Sequence, residues 1–520
     1  MVLTIPQVVR AAATFGDREA LVDGDRRWTF SELVREIERC ARSFVALGLR
    51  PHDRVAVWAP NSPEWMFAAL GAQMVGGVLV PINTRFKGAE AAYVIERSGA
   101  SFLFVANGFL GIDYASDVSG QPTPSLRHLV DIAGSSWNEF IDAGIRVPET
   151  AIAEREAAVR PDDLCDIIFT SGTTGRPKGV MSRHDQTIRV FLEWSSIVGL
   201  DADDRYLIVN PFFHTFGYKA GFLACLLRGS AMLPLAVFDV PTVLRTVSTE
   251  RITALPGPPT LYLSILNHPD RHAFDLSSLR LAVTGAAAVP VEMIRRMREE
   301  LSFRVILTAY GLTESTGTIT MCRQDDDPET ISSTSGRAIS DIEVRVVDED
   351  NVEVPHGTAG EIVCRGYNVM PGYFADPDAT ADTVDEDGWL HTGDVGVMDE
   401  RGYLAITDRL KDMFIVGGFN AYPAEIENAL LEHPAVAQVA VVGRPDERMG
   451  EVGHAFVVRR TDRTCDADEL VEWARTRMAN YKVPRGITFV EALPLNASGK
   501  VLKFELRARL ERPPFGANQS

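Results

Sequence analysis

Through roughly the first four hundred residues, apolar positions recur at helical spacing and then collect into short β-branched runs. Ser31 to Leu47 carries a helical stripe behind a Thr29/Ser31 cap and is followed by the strand-like Arg54 to Ala59. The same alternation returns in Ala89 to Ser98 with Phe102 to Val105, and in Val240 to Glu250 with Ala254/Leu255. It predicts an α/β fold built on buried, largely parallel sheets. From about Ser335 the pattern changes to strands separated by turns, which predicts a small antiparallel module. Beyond Thr407 it changes again. Helices over Ala424 to Glu432 and Asp468 to Asn480 alternate with strands over Val436 to Val442, Ala455 to Val458 and Ile487 to Val490, a small α+β domain. The expected division is an N-terminal part over 1–407, a short joint over 408–412 and a C-terminal part over 413–520.

Composition narrows the function classes. A chain of 520 residues with 46% apolar and 24% charged positions is an ordinary globular protein of several domains. Its formal charge of −19 repels nucleic acid and anionic membrane at long range, so a polyanionic ligand must be captured by loops and a few placed cations. The six cysteines are far apart and form no C-x-x-C pair, which argues against a zinc site or disulfide framework and fits a reducing cytoplasm. The N-terminal segment lacks the pattern of a signal peptide. The uncharged stretch Trp65 to Ile82 holds Gln73 and Pro81 and predicts a buried helix running into a buried strand, not a membrane span.

The strongest local chemistry lies in Thr170-Ser171-Gly172-Thr173-Thr174-Gly175-Arg176-Pro177-Lys178-Gly179, directly after a strand. Glycines let successive N–H groups converge, hydroxyls add donors, and Lys178 with Arg176 adds positive charge, a composition suited to a polyphosphate. Pro177 and Gly179 break the Walker A spacing, so an ordinary P-loop NTPase is disfavoured. The remaining candidates are weaker alone. Taken singly, Tyr310 reads as a core aromatic, Asp394 as a turn residue, Lys500 as a solvated lysine, and Gly417-Gly418 as an ordinary turn. Gly285, Ala286 and Ala287 follow a strand, and their small side chains suit either a flat ligand or tight packing.

Taken in order, these motifs resemble the AMP-forming acyl-CoA synthetases of the adenylate-forming superfamily, over nearly the whole chain. The resemblance implies ATP, Mg²⁺ and coenzyme A as the small molecules used. It implies that Thr170 to Gly175 and Lys178 hold the β- and γ-phosphates. Tyr310-Gly311 would meet adenine, Thr313 the α-phosphate, and Glu314 with Thr173 the metal. Asp394 and Arg409 would bind ribose, and Lys500 would act on the attacking carboxylate and the α-phosphate. Lys411 would be a hinge about which the C-terminal part turns, bringing Gly417-Gly418 to the pantetheine arm. His214, in Pro211-Phe212-Phe213-His214-Thr215-Phe216-Gly217-Tyr218-Lys219, matches the position that gates the carboxylate pocket. Lys219 precedes an apolar run and is expected to reach solvent or, with Tyr218, to meet polar oxygens of the substrate or CoA.

That segment, with Leu255 to Thr260 and Met321 to Asp327, is similar to a narrower actinobacterial group acting on the bicyclic ring-propanoate of steroid breakdown. The implied substrate is a two-ring keto acid. A fatty or aryl acid, or a carrier protein loaded by a stand-alone adenylation enzyme, is the alternative. A non-catalytic nucleotide-binding module would be expected to have lost these residues, and they are all present. A homo-oligomer is compatible with the sequence; a nucleic-acid partner is not.

Overall fold

The structure, a computed structural model, describes residues 3–170, 177–285, 289–409, 412–416, 419–446, 448–460, 463–478, 480–495 and 501–511. It divides into two compact units. One comprises Met1–Gly285, Val289–Glu343 and Cys364–Leu390; the other comprises Val344–Val363 and His391–Ser520. This division by packing differs from the one expected at residue 407, because the strand Leu390–Met398 pairs antiparallel with Leu404–Arg409 and so draws that sheet into the second unit.

In the first unit a six-stranded sheet runs in the order His128–Asp131, Phe102–Val105, Arg54–Trp58, Val78–Pro81, Leu164–Thr170, Lys178–Arg183. All neighbours are parallel except the last pair, a hairpin. Helices cover it, as buried parallel strands require. Phe30–Ala46 is capped by Thr29, whose hydroxyl accepts from the Glu32 N–H while the Glu32 carboxylate accepts from the Thr29 N–H, a reciprocal cap. Pro63–Met74 is buried along almost its whole length, as the uncharged stretch predicts. Its Gly71 lets the two helices touch, since a Cβ there would lie 2.6 Å from Cys40 Cβ. Among the described residues no helix is long and apolar enough to cross a membrane.

Two four-stranded sheets complete the first unit. One holds Arg26–Thr29, Glu19–Asp23, Ala231–Pro234 and Arg205–Ile208; the other holds Leu281–Gly285, Val305–Tyr310, Thr320–Met321 and Arg337–Ala338. The strand expected at Ala254/Leu255 is reduced to a single residue. Ala254 bridges in parallel to Tyr206 on one side and Leu281 on the other, and so joins the two sheets.

In the second unit Val436–Asp446, Gly450–Arg459, Phe414–Val416 and Phe419–Ala421 form an antiparallel sheet, with Gly486–Phe489 parallel to Gly450–Arg459. The helix Pro423–Leu431 buries Ile426 and Leu430 against Val439, Val441 and Val457, and Leu470 and Ala474 of Ala467–Arg475 join the same core. This is the small α+β domain that the pattern predicts.

Candidate active site

The phosphate-loop candidate sits at the tip of the hairpin in the six-stranded sheet. Thr170 and Lys178 are facing residues of that hairpin, so the register itself brings the two ends of the loop together. Ser171, Gly172, Thr173, Thr174 and Gly175 lie outside the described residues. Below the tip, Gly179 is needed for close approach: a Cβ there would meet Ile167 Cγ2 at 2.8 Å and the Phe169 ring at 3.0 Å. Tyr93 donates to the Pro177 carbonyl at 3.2 Å and packs edge-on to Phe169.

The free edge of the hairpin is extended by Gly372–Phe374. Met181 N–H donates to the Gly372 carbonyl at 3.1 Å and Phe374 N–H to the Gly179 carbonyl at 2.7 Å. That addition positions Tyr373, a residue the sequence reading did not single out. Its hydroxyl donates to Glu314 Oε1 at 2.9 Å, and Lys178 Nζ stands 4.9 Å from its ring centre. Burial, reinforced by the Glu314 charge, raises the phenol above its ordinary pKa, so it stays protonated and remains a donor. Lys178 at the root of the candidate phosphate loop and the expected metal carboxylate Glu314 are thus joined through one aromatic ring. The only sequence signal for Tyr373 was its place in a Pro-Gly-Tyr turn, which is too common to mark a site.

Glu314 lies in the short turn Thr313–Ser315 after the strand Val305–Tyr310. The turn closes tightly: a Cβ on Gly311 would lie 2.4 Å from the Gly317 carbonyl oxygen. Cross-links to the segment that carries Tyr373 hold it. Met370 N–H donates to the Glu314 carbonyl at 2.8 Å, Thr316 Oγ1 to the Asn368 carbonyl at 2.7 Å, and Asn368 Nδ2 to the Thr318 carbonyl at 3.1 Å. Tyr310, at the end of that strand, is 8% exposed. Gly285 ends the strand Leu281–Gly285, where a Cβ would stand 2.5 Å from the Ala309 carbonyl oxygen, so strand packing accounts for the glycine. Ala286 and Ala287 lie outside the described residues.

Could these residues hold Mg²⁺? One Glu314 oxygen is occupied by the phenol, and a carboxylate has a second. Among the described residues no cluster of three or more His, Cys, Asp or Glu forms a metal cage. A single carboxylate such as Glu314 is the kind of ligand that Mg²⁺ takes, since that cation keeps several waters and is held by one or two protein oxygens together with substrate phosphates.

His214 is exposed and precedes a short helical turn. Its Nδ1 accepts from Phe216 N–H at 3.2 Å, which leaves the neutral ring with an Nε2–H donor. Asn61 steadies the approach, accepting from Phe212 N–H at 2.7 Å and donating to the Asn210 carbonyl at 2.9 Å. The His214 segment abuts the Glu314 turn, since a Cβ on Gly317 would lie 2.4 Å from Thr215 Cγ2. The structure therefore gathers Thr170, Lys178, Thr313, Glu314 and the His214 segment in one unit.

Lys219 departs from expectation. It neither reaches solvent nor is open to a substrate: its side chain is 1% exposed and its Nζ pairs with Asp166 Oδ2 at 3.0 Å. The apolar run after it is buried, so the ammonium is accommodated by an equally buried carboxylate and by Ser182 Oγ at 2.9 Å. Tyr218 is likewise buried and accepts from Gln73 Nε2 at 2.7 Å.

In the second unit Asp394 and Arg409 face one another across the antiparallel pair Leu390–Met398 and Leu404–Arg409. Asp394 is buried at 3% exposure, and its N–H donates to Thr392 Oγ1 at 3.1 Å. Glu361 accepts from Gly393 N–H at 3.0 Å and pairs with His391 Nδ1 at 2.9 Å, which braces the strand beside Asp394. The Arg409 side chain, Lys411, Gly417, Gly418 and Lys500 lie outside the described residues.

The sequence profile of the AMP-binding enzymes matches residues 8–374, and that of the AMP-binding enzyme C-terminal domain matches residues 425–500. A CoA ligase of the 3-(7a-methyl-1,5-dioxo-octahydroindenyl)propanoyl group from Rhodococcus jostii is 53% identical, over 96% of this chain and 97% of its own. The ligase of the same name from Mycobacterium tuberculosis is 48% identical, over 97% and 98%. Among solved structures, an anthranilate CoA ligase in complex with anthranoyl-AMP superposes with a TM-score of 0.88 at 27% identity, over 98% of both chains. With the Lys178–Tyr373–Glu314 cluster at the root of its glycine-hydroxyl loop and two family profiles spanning most of its length, the chain belongs to the AMP-binding enzymes.

Proposed function

We propose that this protein is an AMP-forming acid–CoA ligase whose substrate is a bicyclic keto-propanoate of the kind named for its actinobacterial relatives. The observation that carries the ligase reading is the joining of Lys178 to Glu314 through Tyr373 at the mouth of the phosphate-loop hairpin. The narrower substrate reading rests on the relatives, which share about half of the residues over nearly the whole chain.

Two half-reactions follow. In the first a carboxylate oxygen attacks the α-phosphorus of ATP, an O–P bond forms, and the bond to pyrophosphate breaks. Two anions meet, so the site must supply positive charge and donors before they approach. In this reading Thr170, Ser171, Gly172, Thr173, Thr174, Gly175 and Lys178 hold the leaving phosphates. Thr313 donates to the α-phosphate, and the Nε2–H of His214 faces the acid. Tyr310, Gly311, Gly285, Ala286 and Ala287 border adenine, while Asp394 and Arg409 take the ribose hydroxyls. Glu314, with Thr173, would hold Mg²⁺, which when bound neutralises charge on the phosphate oxygens. Lys500 neutralises the pentavalent phosphorus. In the second half-reaction the CoA sulfur attacks the acyl carbon and AMP leaves. A turn about Lys411 withdraws Lys500 and presents Gly417-Gly418 to the pantetheine arm. All six cysteines are buried and unpaired, in keeping with a place in a reducing cytosol.

The test is a screen of the purified enzyme with ATP, Mg²⁺ and CoA against a bicyclic keto-propanoate, straight-chain acids and aryl acids, with AMP and acyl-CoA both quantified. The bicyclic acid should give the highest kcat/KM and equal amounts of both products. A higher value for a fatty or aryl acid overturns the substrate; AMP without acyl-CoA points to carrier loading; no AMP with any acid refutes the ligase.

A further inference from the structure

The Lys219 ammonium is held by the hairpin that carries the phosphate loop. Asp166 and Ser182, its two partners, are facing residues of that hairpin, four positions before Thr170 and four after Lys178. At the rise of an extended strand this places the contact about 13 Å below the loop. Lys219 itself follows His214 by five positions and lies in a π-helical turn, Tyr218–Leu223, in which Gly221 leaves helical geometry at φ −90° and ψ −106°. Such turns add one residue to a helix and re-aim what precedes it. The neighbouring residue is tied to the same strand: Gln73 Nε2 donates to Tyr218 Oη at 2.7 Å and to the Cys165 carbonyl at 2.9 Å. Two consecutive residues behind the acid gate are thus fastened to the strand that ends in the phosphate loop.

A buried ion pair is a poor way to gain stability, since apolar residues of similar volume do as well or better; what it adds is one defined position. Here it costs more than usual, because Asp166 Oδ1 and Gln73 Oε1 are buried with no hydrogen-bond partner among the described residues. Reaction between two bound substrates depends steeply on their alignment, and a displacement of about 1 Å costs about a hundredfold in rate.

Resting on the ligase reading above, we propose that Lys219, through Asp166 and Ser182, is a positioning residue that fixes the acid gate at His214 relative to the phosphate loop and so aligns the carboxylate with ATP. It touches neither substrate. Its loss therefore slows the step in which the two substrates react and spares the steps in which one of them is already bound or already activated.

The deciding measurement compares half-reactions in the charge-free double variant Lys219→Met/Asp166→Leu and in the milder Ser182→Ala, with thermal melting of each. The double variant is expected to melt near the wild type, to form acyl-AMP about a hundredfold more slowly, and to keep ATP affinity and thioester formation from supplied acyl-AMP within about threefold. Ser182→Ala should show the same split at about fivefold, and it decides the matter if the double variant does not fold. Adenylation at the wild-type rate in either folded variant, or equal loss in both half-reactions, overturns the proposal. A wild type inactive with every acid refutes the ligase reading as well, whereas an active wild type with unaffected variants refutes the positioning role of Lys219 alone.

Discussion

Under the proposed function Glu314 would be oriented before a cation arrives, because the Tyr373 hydroxyl holds one of its oxygens and the Met370 N–H holds its carbonyl. Partners that orient a metal ligand are worth about tenfold or more in metal affinity. Tyr373→Phe should therefore raise the Mg²⁺ concentration for half-maximal pyrophosphate release by about tenfold, and Glu314→Gln by more. An unaltered metal titration in both variants would contradict ligation at Glu314. A second residue-scale effect concerns stability. His184 is buried and its Nδ1 accepts from Ile5 N–H at 3.1 Å, so burial of the ring lowers its pKa from 6.5 to about 3. Below 6.5 the unfolded chain takes up a proton that the folded one refuses, so this stabilising contribution is lost as the pH falls from 6.5 toward 3. The slope reaches about 1.4 kcal/mol per pH unit. In His184→Gln, melting temperature should depend less steeply on pH than in the wild type between pH 6.5 and about 4, and parallel curves would count against a neutral buried ring.

At the scale of elements, the site depends on backbone approaches that side-chain chemistry alone does not indicate. The Gly311–Gly317 turn brings Thr313 and Glu314 back onto the segment of Asn368 and Met370 because no Cβ intervenes. Gly311→Ala must open that turn against backbone, a steric cost of about 1–3 kcal/mol. Melting should fall by several degrees and ATP binding, measured by calorimetry, should weaken. Unchanged affinity would separate the turn from the nucleotide. The hairpin below the candidate phosphate loop is an element of another kind, since its register alone sets Thr170 opposite Lys178. A one-residue slip would turn Lys178 to the opposite face of the sheet, away from Tyr373.

For the whole molecule, the two half-reactions make different demands on the two ends of the chain. Under the proposed function, Lys500→Ala should lower acyl-AMP formation by orders of magnitude while thioester formation from supplied acyl-AMP changes little. Lys411→Pro, which fixes one backbone angle at the joint, should slow thioester formation more than adenylation. Single-turnover assays of each step distinguish them. Equal loss in both steps for either variant would remove its assigned role.

Much of this was legible in the chain itself. The α/β alternation, the buried uncharged helix Pro63–Met74, the strand before the glycine-hydroxyl loop and the small α+β end all follow from periodicity and turn chemistry, because each is decided by residues within a few positions of one another. The order of the motifs carried the family for the same reason. What tertiary structure alone decided is who meets whom at long range. Tyr373 reaches Glu314 across 59 positions, Lys219 finds Asp166 instead of water, and Ala254 serves as a one-residue bridge between sheets. A lysine before an apolar run has no local reason to prefer a carboxylate over solvent. Only the packing that removes water from both makes each the other's necessary partner.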